Sequence, residues 1–181
     1  MNIFVLDTNP NMAARYHNDR HVIKMILESA QMLSTAHVFL DGPVTSKARV
    51  PWILRPTHIN HPCAKWVREA SENYVWLYQL MEALLMQYRA RFGKIHKYER
   101  NGLFHELSSK LPLNIPIGPR TPFAQAMPPQ YRNCDPVAAY RAYYFNEKQH
   151  LAQWRYPADK PVWWDGMEFR AKVRAHKIAS A

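Results

Sequence analysis

Residues 9–43 read NPNMAARYHNDRHVIKMILESAQMLSTAHVFLDGP, and this stretch decides the fold class. Asn9-Pro10 is an N-cap followed by the residue best suited to a first helical position. From there apolar residues recur at helical spacing to about Phe39, and Asp41-Gly42-Pro43 closes the run. The run can break near Asn18-Asp19. Val22, Ile23, Met25, Ile26, Leu27, Ala30, Met32 and Leu33 cover most of the girth, so this helix is expected to be buried.

Within that apolar surround lies a polar seam. His17, His21, Lys24, Glu28, Gln31 and Thr35 follow one another at steps of four and three, the spacing of one helix face. The seam reads in two ways. It is a solvated stripe with a Lys24–Glu28 ion pair, or it lines a pocket with Glu28 as a proton-exchanging carboxylate and His21 and Lys24 beside it. Arg20 is placed to reach a phosphate at the rim.

Working outward, residues 2–6 form a short strand or an extended arm. Residues 43–60 carry Pro43, Pro51 and Pro56 and read as a loop. Pro62 opens a second helix, capped by Asn60 or His61 and running to about Phe92, with Gly93 as its C-cap. At about 1.5 Å per residue it would be roughly 45 Å long. A short helix is expected over 102–110. The six prolines of 112–129 forbid regular helix and make that segment a surface wrap. Asp135-Pro136 opens a helix to about Trp154, Trp163-Trp164-Asp165-Gly166 makes a turn, and a basic tail helix follows to about Lys177. The expectation is a mostly α, compact helical bundle. One catalytic, DNA-binding domain spans 1–165, with the basic tail over 166–181.

Composition sets the class of partner. The chain has 181 residues, a formal charge of +10, 6 Trp and 10 Tyr. Arginine mixed with aromatics grips phosphates and stacks bases, so DNA is the expected partner, with a free nucleotide, another anionic metabolite or an acidic protein as alternatives. No apolar run approaches a membrane span. Two cysteines do not make a disulfide framework and point to a reducing compartment.

Other candidate contacts lie outside the seam. His58, Asn60 and His61 sit at the start of the second helix, where backbone N–H groups favour an anion. Asn73 shares a seam with Trp66, Glu69 and Trp76. Lys94, His96 and Lys97 follow Gly93 as a phosphate clamp or a plain basic loop. Gln125 is the one amide in a rigid Pro-rich loop and could read a base edge. Tyr140, Arg141, Tyr143, Tyr144 and Lys148 suit a phosphate-facing helix. Zinc could use His17 and His21, or His58, His61 and Cys63, but the reading without metal is preferred: His17-Asn18 lacks the glutamate of a zinc protease motif, and no paired-cysteine motif exists. No cofactor fingerprint is present either, and five glycines leave little room for one.

Met-Asn-Ile-Phe at the start, the run from His21 to Gln31, His61-Pro62 and Asn73-Tyr74-Val75-Trp76-Leu77 together resemble small bacteriophage proteins. Through them the chain resembles the pyrimidine-dimer DNA glycosylase (endonuclease V-type) superfamily. The resemblance implies base excision and strand nicking in a bacterial host's cytoplasm. In that family the terminal amine attacks the sugar carbon and forms an imine, assisted by a glutamate on the first helix. An α-amino group titrates near about 8, so part of it is unprotonated at neutral pH. Glu28 matches the glutamate. The family exposes the amine of a small residue by removing the initiator, whereas Asn2 is bulky and Met1 is expected to stay. Either the Met1 amine serves as nucleophile, or Lys24 does, or the chemistry differs from the family's. Two other classes remain open at this stage: a metal-dependent nuclease or phosphoesterase using His17, His21, His58 or His61, and a non-enzymatic phage DNA-binding protein.

Overall fold

The computed structural model describes residues 1–156 and 159–167. The chain is mostly helical, and no strand occurs among the described residues. The elements are α1 (Pro10–Tyr16), α2 (Asp19–Asp41), α3 (Pro43–Arg49), α4 (Pro62–Val67), α5 (Ser71–Phe92), α6 (Lys97–Arg100), α7 (Leu103–Ser109), α8 (Pro136–Lys148) and α9 (162–167). No described helix is long and apolar enough to cross a membrane.

The first helical stretch does break near Asn18-Asp19. Asn9 accepts hydrogen bonds from the amides of Asn11 and Met12 to start α1, and Asn18 accepts from the His21 amide at 2.9 Å to start α2. His17 has extended backbone between them, so it is a cap residue and does not share the α2 seam.

α2 and α5 are the central pair and run antiparallel. At one end Arg91 of α5 meets Asp19 of α2 at 3.1 Å; at the other, Tyr74 Oη and His37 Nε2 are 2.9 Å apart. Arg91 is 2 % exposed and also donates to the carbonyls of His17 (2.7 Å) and Arg15 (2.8 Å). Those bonds clamp the α1–α2 elbow onto the end of α5. Trp66 and Trp76 are core residues, packed edge-to-face with Phe123 beside both.

Several expectations are corrected. Residues 2–6 form no strand; the segment is irregular, and Ile3, Val5 and Leu6 are wholly buried. The loop expected from residue 43 begins with the short helix α3, for which Pro43 is a good first residue. The helix expected over 62–92 is two helices, interrupted at Arg68–Ala70. The cause is tertiary, because carbonyls of the Pro-rich segment cap α5: Ser71 N–H donates to Pro116 O at 2.8 Å and Glu72 N–H to Gly118 O at 3.4 Å. α5 alone is therefore roughly 33 Å long. The short helix expected over 102–110 is preceded by a single turn, α6. The helix from Pro136 ends at Lys148 and tightens into a 3₁₀ turn over Gln149–Leu151. Residues 163–166 are helical, where a turn was expected. The tail helix to Lys177 lies outside the described residues.

Candidate active site

The site is assembled around residue 2. The Asn2 main-chain N–H donates to Glu28 Oε2 at 2.8 Å, and its side-chain Nδ2 donates to Ala126 O at 2.8 Å. Its Oδ1 accepts from the amides of Ile3 (2.8 Å) and Phe4 (3.1 Å). Phe4 is held with φ at +31°, a region that non-glycine residues seldom occupy. Its ring closes the turn by packing on His21, Tyr143 and Tyr144 at centroid distances of 4.9, 5.9 and 5.2 Å. The far anchor is the Pro-rich segment. Tyr140 Oη donates to Ala124 O at 2.6 Å and accepts from Ala126 N–H at 3.3 Å. A chain of bonds thus runs from α8 through the loop to Asn2 and on to Glu28 of α2.

The Met1 amine ends this segment 3.8 Å from Glu28 Oε2. That distance is an ion pair longer than a hydrogen bond, so the carboxylate is held by Asn2 and the amine pairs with it loosely. The Met1 side chain is only 2 % exposed although the residue as a whole is part-exposed, so its accessible area is main chain. The side chain anchors and the amine is presented. On the other oxygen, Lys24 Nζ approaches Glu28 Oε1 at 3.6 Å from a side chain that is 63 % exposed.

These groups line one cavity of about 330 Å³, together with Phe4, Arg20, His21, Tyr143, Lys148 and Leu151. The volume lies at the small end for ligand pockets. Among the described residues Glu28 is the only carboxylate on its lining, against Arg20, Lys24, Lys148 and the amine. That balance favours an anion at the mouth. His21 carries no charge at neutral pH. Burial pushes it down to about 3, helped by the charges of His17, Lys24, Lys148 and His150.

The remaining candidates divide sharply. His17 lies behind His21, wholly buried, and burial lowers it to about 4. Its Nδ1 sits 2.6 Å from Ala13 O, which can only accept, so Nδ1 carries the hydrogen. His61 caps α4 by accepting from Cys63 N–H at 3.2 Å. Burial lowers its pKa, followed by the terminal amine and His58 and opposed by Glu28, so it sits within electrostatic reach of the site. His58 and Asn60 are exposed, and Gln31 and Thr35 lie beyond the cavity. Thr35 instead accepts from Thr57 N–H at 3.1 Å and holds the 50–60 segment.

Three residues expected to face a ligand are spent within the fold. Asn73 is fully buried and bonds Trp66 O (2.7 Å), Thr121 Oγ1 (2.8 Å) and Thr121 N–H (2.9 Å). Gln125 is paired both ways with the Asn133 main chain, at 2.6 and 3.0 Å. Arg141 donates to Leu6 O at 2.8 Å and pairs with Asp7 at 3.2 Å. Lys94, His96 and Lys97 line a different concavity of about 520 Å³, with Tyr88, Ile95 and Arg100. It shares no residue with the first. Asn2, Phe4 and Leu151 were not foreseen from sequence; nothing in the helix periodicity marks them. Among the described residues, no three His, Cys, Asp or Glu side chains are grouped to hold a metal ion.

No protein-family model, curated protein or solved structure matches this chain.

Proposed function

We propose that this chain is a DNA-processing enzyme, a glycosylase with strand-nicking lyase activity on a modified or damaged base. The Met1 amine is the nucleophile and Glu28 the acid–base group. The observation that carries this reading is the anchored terminal residue. Its amine stands 3.8 Å from a carboxylate, in a cavity whose other charged groups among the described residues are all cationic.

The chemistry follows from those two groups. The amine lone pair attacks C1′ of the target deoxyribose, and the C1′–base bond breaks, the base leaving with its electron pair and taking a proton from solvent water. Glu28 takes a proton from the attached nitrogen and delivers it to the ring oxygen. The ring then opens to an imine between C1′ and the Met1 nitrogen. Loss of a proton from C2′ expels the 3′ phosphate and nicks the strand, and water releases the chain. His21, being neutral, supplies shape and a hydrogen-bonding edge rather than charge.

Lys24 is the other amine near Glu28, but it is mostly exposed on a flexible stem at the rim. We assign it, with Arg20 and Lys148, to the phosphates flanking the extruded nucleotide. We assign Lys94 and Lys97, in the second basic concavity, to further backbone phosphates.

The reading requires Met1 to be the first residue of the working protein, which the intact mass checks. Duplex oligonucleotides carrying single lesions, among them a thymine dimer, uracil and an abasic site, are incubated with the protein and run on denaturing gels. Nicking at the abasic site, and at one or more base lesions, is expected. Failure to nick any of them, abasic DNA included, would overturn the proposal.

A further inference from the structure

We infer that Ile23 and Leu27 form an apolar wedge that enters the base stack of duplex DNA beside the extruded nucleotide. The inference rests on the functional reading above and extends it to how the duplex is opened.

The outward strip of α2 consists of Arg20, Ile23, Lys24 and Leu27, with Gln31 half-buried at its end. Every other large aliphatic on α2 before Phe39, from Val22 through Leu33, is buried, whereas Ile23 is 45 % and Leu27 39 % exposed. A single exposed aliphatic is ordinary. These two are i,i+4 neighbours and so form one continuous ridge.

The ridge has a fixed relation to the cavity. Arg20 and Lys24 line the cavity mouth. At about 100° per residue, Glu28 and His21 fall on one flank of the Arg20–Lys24 row, and Ile23 and Leu27 on the other. A nucleotide that enters the cavity crosses this row, its phosphates held by the two cations. The gap it leaves in the stack then faces the ridge. Aliphatic side chains have nothing to offer phosphates, but they match the apolar faces of unstacked bases, and proteins that kink DNA insert such side chains between base steps. The charge on the row selects a polyanion as the occupant of this face, and the ridge suits the stack within it.

The test compares wild type with the double variant Ile23→Ala, Leu27→Ala, both sites being solvent-facing. The probe is an oligonucleotide with one abasic site and 2-aminopurine next to it, as a duplex and as a single strand. Wild-type binding should raise 2-aminopurine fluorescence in the duplex, and the variant should lose that rise. Nicking of the duplex should fall on the order of tenfold, because the unstacking is no longer compensated. Nicking of the single strand, which needs no wedge, should stay within about twofold. The conservative pair Ile23→Leu, Leu27→Met should restore the duplex values. Equal losses on both substrates, or a fluorescence rise retained in the variant, would overturn the inference. If wild type nicks neither substrate, the glycosylase reading fails on its own. The fluorescence comparison still decides the wedge: a rise present in wild type and lost in the variant supports it, and no rise in wild type refutes it.

Discussion

Replacing Glu28 by Gln separates the chemical role of this carboxylate from its structural one. Glu28 accepts a 2.8 Å hydrogen bond from the buried Asn2 N–H and faces two cationic nitrogens at 3.8 and 3.6 Å. Glutamine keeps the shape and an acceptor oxygen, so the Asn2 bond persists as a neutral one. The loss is the difference between a charge-assisted and a neutral hydrogen bond, about 1 kcal/mol. The Lys24 pair adds only roughly a few tenths, because that side chain is largely solvated. A fall in Tm of about 2 to 5 °C is therefore expected, with the fold intact. Proton transfer by a positioned carboxylate is worth on the order of 10² to 10⁴ in rate, so nicking of abasic DNA should drop by at least about 10². Glu28→Ala should be worse for stability, by about 1–3 kcal/mol, since it leaves the Asn2 N–H buried without a partner. Thermal melts and single-turnover nicking assays read both quantities. A Glu28→Gln protein that nicks within tenfold of wild type would refute the assignment of this cavity as the active site.

Acid should unfold the protein early. His17, His21 and His37 are kept neutral, at about 4, 3 and 4, chiefly by burial; for His37 this outweighs the opposing pull of Asp41. Their stability contribution is present above the ordinary histidine value of 6.5 and is lost as pH falls through it toward 4, where only the unfolded chain takes up the protons. The slope in that window is about 1.4 kcal/mol per pH unit per histidine, and denaturant titrations showing no loss between pH 6.5 and 4.5 would contradict this. Arg91→Ala strands Asp19 and frees the carbonyls of Arg15 and His17, and should cost about 3–5 kcal/mol; a loss under about 1 kcal/mol would mean the clamp is unimportant. DNA affinity should fall steeply with salt, and Lys148→Ala should reduce the log–log slope by about 1; a flat salt response would remove phosphate contacts from the account.

Much of this fold could be read locally. The caps at Asn9, Asn18, Asp135 and Gly93 fall where short-range rules put them, because each cap bond closes within four residues. The break before α5 could not be read, since the carbonyls that cap it come from Pro116 and Gly118. The site shows the same division. Arg20, His21, Lys24 and Glu28 share one end of a single helix, so periodicity alone groups them. Asn2 and Phe4 reach them only through Ala126 and the tyrosines of α8, contacts more than 100 residues apart in sequence. Asn73 shows the opposite failure: a polar residue at helical spacing looks like a ligand contact, yet its amide ties the Pro-rich segment to α5.

The central claim is that the Met1 amine bonds covalently to a deoxyribose carbon. Borohydride reduction during reaction with an abasic duplex, followed by protease digestion and mass mapping, tests it directly. The account predicts a stable protein–DNA adduct on the peptide beginning at Met1, lost when the terminal amine is acetylated. Nicking without any trapped adduct, or an adduct that maps to Lys24 and survives acetylation of the amine, would contradict it.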